Sequence, residues 1–229
     1  MRIADMHWQQ VEAYLKHDDR CIIPLGCVEQ HAYLSLATDA ILAEKLSVDS
    51  AESLGIPVFP VLSYGITPYF RAYPGFITFS VATYTAIITE ILESVYEQGF
   101  RRIFLLNGHG GNAPASTIGS EFASTREDVR VQYHAWWSAP KVWAAVTALD
   151  PIASHASWME NFPWTRLSGV AQPSERKPLV DLGTKQGAQA TRALLGDGNF
   201  GGYYQRSDEE LLHIWDVAIA EVQELLTRW

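Results

Sequence analysis

Two short polar segments contain most of the residues that could bind a metal ion, and the first is Gly26-Cys-Val-Glu29-Gln-His31. In an extended segment, residues two apart project to the same side, so Glu29 and His31 can present an oxygen and a nitrogen to a metal ion or a metal pair. Asp39, at the start of a predicted helix, can add a bridging carboxylate. Taken alone, Asp39 is better explained as the helix N-cap, or as an acid in the first turn of a helix that Thr38 caps. Taken alone, His31 is better explained as a polar histidine in a loop.

The second segment, Asn107-Gly-His109-Gly-Gly-Asn112, directly follows an apolar run. Because glycines add no side-chain bulk, the backbone there can approach a ligand closely and the His109 imidazole stays open. A glycine-rich phosphate loop is the competing interpretation. The segment lacks the lysine and the serine or threonine of a P-loop, and its glycines lack the dinucleotide-binding spacing. The pattern therefore favours an open histidine over a phosphate site.

A third segment, His155-Ala-Ser-Trp-Met-Glu160, places a glutamate five residues after a histidine. The two side chains can serve as a proton carrier and a metal ligand, respectively. This spacing is weak by itself, and a satisfied histidine on a partly buried helix is the commoner alternative.

Covalent catalysis has no support in the sequence. There is no Gly-x-Ser-x-Gly nucleophile elbow. Cys21 and Cys27 are too far apart on an extended strand for a disulfide, and they are predicted to be buried thiols of a reducing compartment. Water activated by a divalent metal is the economical alternative, because coordination lowers the pKa of water from about 15.7 toward about 7.

The elements that must position these segments alternate between strand and helix. The apolar run from Arg20 ends at Gly26, as expected of a buried parallel strand, and another run leads directly into Asn107. Strands are predicted at 20–26, 57–62, 101–106 and 129–137, and helices at 39–54, 83–100, 113–125 and 207–229. The alternation predicts one three-layer α/β domain, 1–229, with a mostly parallel sheet. Ligands bind such sheets at the carboxyl ends of the strands, where both glycine-containing polar segments fall.

Composition excludes several classes of partner. The 229 residues carry 26 acidic and 17 basic side chains, for a net charge of -9, which argues against nucleic acid as a partner. No apolar stretch approaches the length of a membrane span, and the amino terminus lacks the features of a signal peptide. A cytoplasmic protein is therefore expected.

Taken together, the segments resemble the creatininase (creatinine amidohydrolase) family, in the family's order over residues 20–160. The matching segments are Pro24-Leu-Gly-Cys-Val-Glu-Gln-His31, Leu36-Ala-Thr-Asp39, Tyr73-Pro-Gly75, Asn107-Gly-His-Gly-Gly-Asn112 and His155 through Glu160. The first and fourth segments are the strongest evidence for the resemblance. The resemblance implies an α/β/α sandwich and a homo-oligomer, often a hexamer.

The resemblance also implies a site with two divalent ions, zinc or manganese. Glu29 and His109 would bind one ion, His31 and Glu160 the other, and Asp39 would bridge them. Water between the ions would attack an amide carbon, and His155 would shuttle a proton to the departing nitrogen. Oxygen and imidazole ligands suit such ions, and a metal pair can stabilise both the nucleophile and the developing oxyanion.

Several departures from the family pattern bear on the substrate. The segment between His31 and Asp39 is one residue shorter than usual, and Tyr33 replaces a frequent second histidine. Gly111 stands where creatininase proper has a further metal-binding glutamate. The late segment 184–187 has lost an acid, and 67–70 replaces a more polar stretch. These changes leave the proposed metal ligands in place, but they argue against creatinine as the substrate.

The leading hypothesis is a metal-dependent amidohydrolase that cleaves a C–N bond of a small cyclic or linear amide. A formamide hydrolase or a peptide-trimming enzyme is a related interpretation. A catalytically silent metal-binding or ligand-sensing protein of the same fold is the alternative from another class. Tyr69 and Trp137 are selected as substrate contacts from a set of aromatic residues, most of which are expected in the core or at subunit interfaces. That set consists of Tyr69, Phe70, Trp136, Trp137, Trp158 and Trp164.

Overall fold

A central parallel sheet organises the chain in the computed structural model, which describes residues 1–184 and 187–229. Within these residues the sheet has three strands, β1 (Arg20–Leu25), β2 (Arg102–Asn107) and β3 (Arg130–Ala135), in the order β1-β2-β3. Arg20 lies opposite Arg102, and Arg102 lies opposite Arg130. Because the strands are parallel and in register, their carboxyl ends reach the same edge of the sheet.

The helices of the described residues alternate with the strands along the chain. They are α1 (Trp8–Tyr14), α2 (Thr38–Ala51), α3 (Val81–Glu97), α4 (Pro114–Ser124), α5 (Pro140–Leu149), α6 (Ala188–Leu195) and α7 (Asp208–Thr227). The terminal helix α7 starts at a capping box, in which Ser207 accepts from the backbone of Glu210 and the Glu210 side chain accepts in return. A box of this kind fixes the start of a helix by satisfying backbone N–H groups that lack intrahelical partners.

Each face of the sheet packs against its own hydrophobic core. Side chains alternate along β1, so Ile22 faces a core shared with α2, α5 and α7, while Cys21 and Ile23 face a core shared with α3 and α4. Strands covered on both faces read as continuous apolar runs, which is why β1 and β2 could be recognised in the sequence. The prediction of a three-layer α/β/α sandwich with a parallel sheet is confirmed.

One predicted strand is not regular. Residues 57–62 run parallel to the outer edge of β1 but form only isolated bridges, Val58 to Ile22 and Leu62 to Leu25. Pro24 of β1 lacks the N–H group that a continuous ladder would use, and between the two bridges four residues of this segment run beside three of β1. The prediction of a strand at 57–62 was wrong for this reason, although the segment does extend the sheet at its edge.

The other predicted strands and helices are present, with boundaries shifted by a few residues. The sequence analysis missed α1, α5 and α6, which are short helices with few buried residues. Of the late segment 184–187, residues 185 and 186 lie outside the described residues. Across the described ranges, no helix combines the length and the apolar character needed to cross a membrane.

Two glycines let α2 approach the strand ends. A Cβ atom on Gly26 would lie 2.4 Å from the Cα of Ala40, and one on Gly108 would lie 2.5 Å from the carbonyl oxygen of Asp39. Any larger residue at either position would push the start of α2 away from the sheet. The two glycines therefore bring Asp39 to the edge where β1 and β2 end.

Candidate metal centre

The five predicted metal ligands come together at the carboxyl edge of the sheet. Glu29 and His31 follow β1, His109 follows β2, Asp39 lies in the first turn of α2, and Glu160 ends a short 3₁₀ turn, Trp158–Glu160. The first four are buried, and Glu160 is half-buried. Neither Asp39 nor Thr38 caps α2, because the helix begins after Ala37 without a side-chain cap, but the prediction that Asp39 lies in the first turn is confirmed. Asp39 is thus free to face the cluster.

Asp39 lies between the two histidines. Its Oδ1 is 3.0 Å from Nε2 of His31, and its Oδ2 is 3.0 Å from Nδ1 of His109. Glu29 Oε1 lies 3.3 Å from the same His109 nitrogen, and Glu160 Oε2 lies 3.9 Å from the same His31 nitrogen. The cluster therefore has two halves, one formed by Glu29 and His109 and the other by His31 and Glu160. Both halves share the carboxylate of Asp39.

Backbone carbonyls fix the orientation of both histidine rings. His31 Nδ1 is 3.2 Å from the carbonyl oxygen of Glu29, and His109 Nε2 is 3.0 Å from that of Ile66. Because a carbonyl oxygen only accepts hydrogen bonds, these outer nitrogens carry the protons of the neutral rings. The lone pairs of His31 Nε2 and His109 Nδ1 then point into the cluster, as in histidines that ligate metals.

The cluster leaves buried polar atoms without hydrogen-bond partners. Among the described residues, Glu29 Oε2 has no partner, and His31 Nε2 and Asp39 Oδ2 each lie 3.0 Å from a charged group without an aligned hydrogen bond. Buried polar atoms without good partners are costly, and divalent cations in the two halves of the cluster would satisfy all three. Carboxylate and imidazole donors are the ligands that zinc and manganese take. The residues present therefore fit divalent metal ions.

Electrostatics within the cluster also favour a cation. Burial acts to lower the pKa of His31, but the carboxylates of Asp39, Glu160 and Glu29 together outweigh it and raise that pKa to about 10. Burial is likewise outweighed at His109, where Glu29 and Asp39 raise the pKa well above its usual range. The two histidines in turn hold the pKa of Asp39 below its ordinary value, against the effect of burial. Without metal, histidine protons supply the positive charge that the carboxylates require.

Glu160 reaches the cluster from an irregular segment. Its Oε2 accepts a 2.6 Å hydrogen bond from the backbone N–H of Ala156. Ala156 has a φ of 58°, a left-handed conformation that is rare for residues with a side chain. Burial raises the pKa of Glu160 to about 7, because the carboxylate is poorly solvated.

His155 borders both the cluster and the open space above it. Its Nδ1 lies 3.6 Å from Glu29 Oε1, and its ring stacks on Phe70 with centroids 4.9 Å apart. Burial, followed by the nearby His31, lowers the pKa of His155 to about 4. The ring is therefore neutral near pH 7 and can accept a proton.

The sequence analysis missed Gln30, which positions His155. The side-chain amide of Gln30 donates to the carbonyl oxygen of Gly198 at 3.0 Å, and its nitrogen lies 2.9 Å from His155 Nε2. The same His155 nitrogen is 3.0 Å from the backbone carbonyl oxygen of Gln30. A Cβ on Gly198 would lie 1.6 Å from the Gln30 side-chain oxygen, so only glycine fits there. The hydrogen bond from Gln30 to Gly198 joins residues 168 positions apart, so no local sequence pattern indicates it.

A cavity of about 580 Å³ opens onto the cluster. Tyr69, Phe70 and Trp137 line it, so a role of Tyr69 and Trp137 as substrate contacts stays a prediction, whereas Trp136 and Trp158 are buried in the core. Trp164 stacks on Phe162 behind the site. The full set of lining residues is Glu29, Asp39, Tyr69, Phe70, Gly108, His109, Gly110, Gly111, Trp137, Ser138, Trp143, Ala153, Ser154, His155, Met159, Glu160 and Phe200.

Gly111 contributes no ligand and has no room for one. A Cβ atom there would lie 1.8 Å from the carbonyl oxygen of Ile66 and 2.6 Å from Nε2 of His109. The backbone around His109 is thus packed for glycine, and an acid at position 111 would require the loop to shift. The carboxylates that face His31 in the described residues are those of Asp39, at 3.0 Å, and Glu160, at 3.9 Å.

Comparison with known proteins gives the same family over nearly the whole chain. The family model for creatininase, described as creatinine amidohydrolase, matches residues 4–226. The sequence is 26% identical over 163 residues to a creatinine amidohydrolase of Pseudomonas putida, which covers 65% of this chain and 62% of that protein. It is 27% identical over 195 residues to a mycofactocin precursor peptide peptidase of Mycolicibacterium smegmatis, which covers 75% of this chain and 78% of that protein.

The fold matches solved creatininase structures. One creatinine amidohydrolase (creatininase) superposes with a TM-score of 0.83 at 20% identity, covering 99% of this chain and 96% of that one. A creatininase variant of Zn–Zn type and a creatininase Mn structure each give a TM-score of 0.79 at 21% identity, covering 99% of this chain and 97% of theirs. With the family match over 4–226, these findings show that the chain belongs to the creatininase (creatinine amidohydrolase) family of hydrolases.

Proposed function

We propose that this chain is a metal-dependent amidohydrolase that uses metal-activated water to cleave a C–N bond of a small cyclic or linear amide. The observation that carries the proposal is the group of buried acids and histidines beside the cavity, in which Asp39 contacts two imidazoles at 3.0 Å and Glu29 Oε2 has no hydrogen-bond partner. Structural residues of a fold rarely gather so many ionisable groups in a buried position. Relatives named as an amidohydrolase and a peptidase support C–N bonds as the target.

The proposed site holds two divalent ions, zinc or manganese. Glu29 and His109 would hold one, His31 and Glu160 the other, and Asp39 would bridge them, in keeping with the two halves of the cluster. Creatininase structures of Zn–Zn type and with Mn support these two metals.

When bound, such ions lower the pKa of a coordinated water and polarise the oxygen of a scissile carbonyl. The rest of the chemistry falls to side chains of the chain itself. His155, neutral and at the mouth of the cluster, would take up a proton at Nδ1 and deliver it to the departing nitrogen. Gln30 would keep the ring in place through its contact with Nε2.

The cavity favours a neutral substrate. None of the described residues that line it is a lysine or an arginine, and three of them are the acids Glu29, Asp39 and Glu160. The proposed ions would offset the charge of these three acids, but a substrate carboxylate beyond reach of the ions would find no cationic side chain among the described lining residues. The aromatic rings of Tyr69, Phe70 and Trp137 suit a planar amide or heterocycle.

A metal-loaded amide panel tests this function. Lactams, imides, formamides and short blocked peptides would be assayed in neutral forms and in matched forms that carry a carboxylate several atoms away from the amide. We expect two ions per chain by elemental analysis, and hydrolysis of at least one neutral amide with kcat/KM about tenfold or more above its carboxylated counterpart. Two bound ions without turnover on any amide would favour the alternative, a metal-binding or ligand-sensing protein. Preference for the carboxylated forms would contradict the neutral-substrate proposal.

Metal affinity should rise with pH. In the metal-free protein, His31 and His109 hold their protons above their usual range, so each ion must displace protons in order to bind. Between about pH 6 and pH 9 the association constant should increase about tenfold per pH unit for each proton displaced. Calorimetry in two buffers of different ionisation enthalpy would count these protons. Affinity independent of pH, with no proton released, would contradict the expectation.

Assembly and location remain predictions. The homo-oligomer, with a hexamer as the form that the family suggests, would be tested by light scattering of the purified chain. The cytoplasmic location would be tested by fractionation of the source cells.

A further inference from the structure

Cys27 lies within one half of the cluster, although the proposed ligand set does not use it. It follows β1 directly and is fully buried. Its Sγ, a carboxylate oxygen each of Glu29 and Asp39, and a ring nitrogen of His109 all lie within 4.8 Å of one another. The loop after β1 thus presents a sulfur to the same space that the carboxylates and the imidazole face.

Two further observations show that this space is suited to a ligand. Glu29 Oε2 is buried and has no hydrogen-bond partner, and Glu29 belongs to the group that surrounds Cys27. Glu29, Asp39 and His109 offer oxygen and nitrogen donors, and zinc in proteins also takes thiolate ligands. Cys27 adds the sulfur, and a zinc ion that expands to five ligands can still hold a water.

We infer that Cys27 provides a thiolate ligand to the metal ion held by Glu29, Asp39 and His109, and that it biases this position toward zinc over manganese. The inference rests on the proposed metal site. On binding, the S–H bond breaks, an Sγ–metal bond forms, and the proton leaves to the buffer. Burial raises the pKa of the Cys27 thiol, so the metal-free protein keeps that proton until a cation compensates its loss.

The two halves of the cluster then differ in chemistry. A soft thiolate selects zinc, while sites with only oxygen and nitrogen donors also accept manganese. The half formed by His31, Asp39 and Glu160 contains no sulfur. We therefore expect zinc in the Cys27 half and a less selective position in the other.

Cobalt substitution tests the inference with a readout that does not depend on activity. Thiolate bound to Co(II) gives an intense charge-transfer band in the near ultraviolet, which oxygen and nitrogen ligands do not. We expect this band in the full-length chain loaded with Co(II), its loss in Cys27→Ser, and its retention in Cys21→Ser. Cys21 is the matched control because it is equally buried but faces the apolar core beside α3 and α4.

Metal competition gives the second measurement. Cys27→Ser should lower zinc affinity by about tenfold or more while changing manganese affinity little. Wild-type protein that binds two Co(II) ions without the band would overturn the inference and leave the proposed function standing. Failure to bind any Co(II), zinc or manganese would overturn both. Because the wild-type spectrum is decisive by itself, the test does not depend on the folding of the variant.

Discussion

Replacing Asp39 with alanine is expected to remove both metal ions and abolish amide hydrolysis. The two oxygens of Asp39 face different histidines, each at 3.0 Å, so the substitution removes a donor from both halves of the cluster. Loss of a residue that merely orients a ligand costs about 10- to 100-fold in affinity or activity, and a shared ligand should cost more. We expect kcat/KM to fall by more than about 100-fold, with fewer than one ion per chain by elemental analysis.

The control for this variant is Glu44→Ala on the same helix. Glu44 is a surface carboxylate that pairs with Arg2 at 3.2 Å, away from the cluster, so its loss should leave metal content and turnover unchanged. Thermal unfolding of both variants would show whether α2 has kept its place. Two bound ions and normal activity in Asp39→Ala would exclude a bridging role.

The edge of the sheet where the site forms could be predicted from the sequence. The runs that became β1 and β2 are continuous and apolar because both faces of these strands are covered, and each gives way to polar residues and glycine. Parallel strands end at one edge, so Glu29 and His109 had to lie near each other once both strands were recognised. That Asp39 would join them depended on Gly26 and Gly108, whose role as contact points for α2 is not visible in a pattern.

The remaining residues of the site could not be derived from periodicity. His155 and Glu160 lie in irregular backbone that includes the left-handed Ala156; their spacing only suggested the two roles, and the family resemblance supplied the assignment. The contact between Gln30 and Gly198 joins parts of the chain 168 residues apart. Cys27 was recognised as a buried thiol, but its place beside His109 emerges only when β1 and β2 are side by side. Such contacts are set by tertiary packing, which leaves no local pattern.

Replacing His155 with glutamine should leave both metal ions bound and slow the chemical step. The ring lies 3.6 Å from Glu29 Oε1, a longer approach than the 3.0 Å at which His31 and His109 face Asp39. Its Nε2 is occupied by Gln30, and its face stacks on Phe70 at the wall of the cavity. A histidine held in this way is placed to exchange protons with a bound molecule. Loss of a positioned acid–base group typically costs about 10²- to 10⁴-fold.

The expected result for His155→Gln is therefore a fall in kcat of about 10²- to 10⁴-fold at constant metal content, with KM changed little. Glutamine keeps a polar side chain of similar length but cannot carry a proton at neutral pH. His213→Gln is the matched control, because His213 is exposed on α7 and remote from the cluster. The structure also permits a ligand role, since Glu29, His31 and His155 can gather around one ion. If His155→Gln releases metal, instead of retaining it with slow turnover, then His155 is a metal ligand. In that case Glu160 would supply the proton to the departing nitrogen.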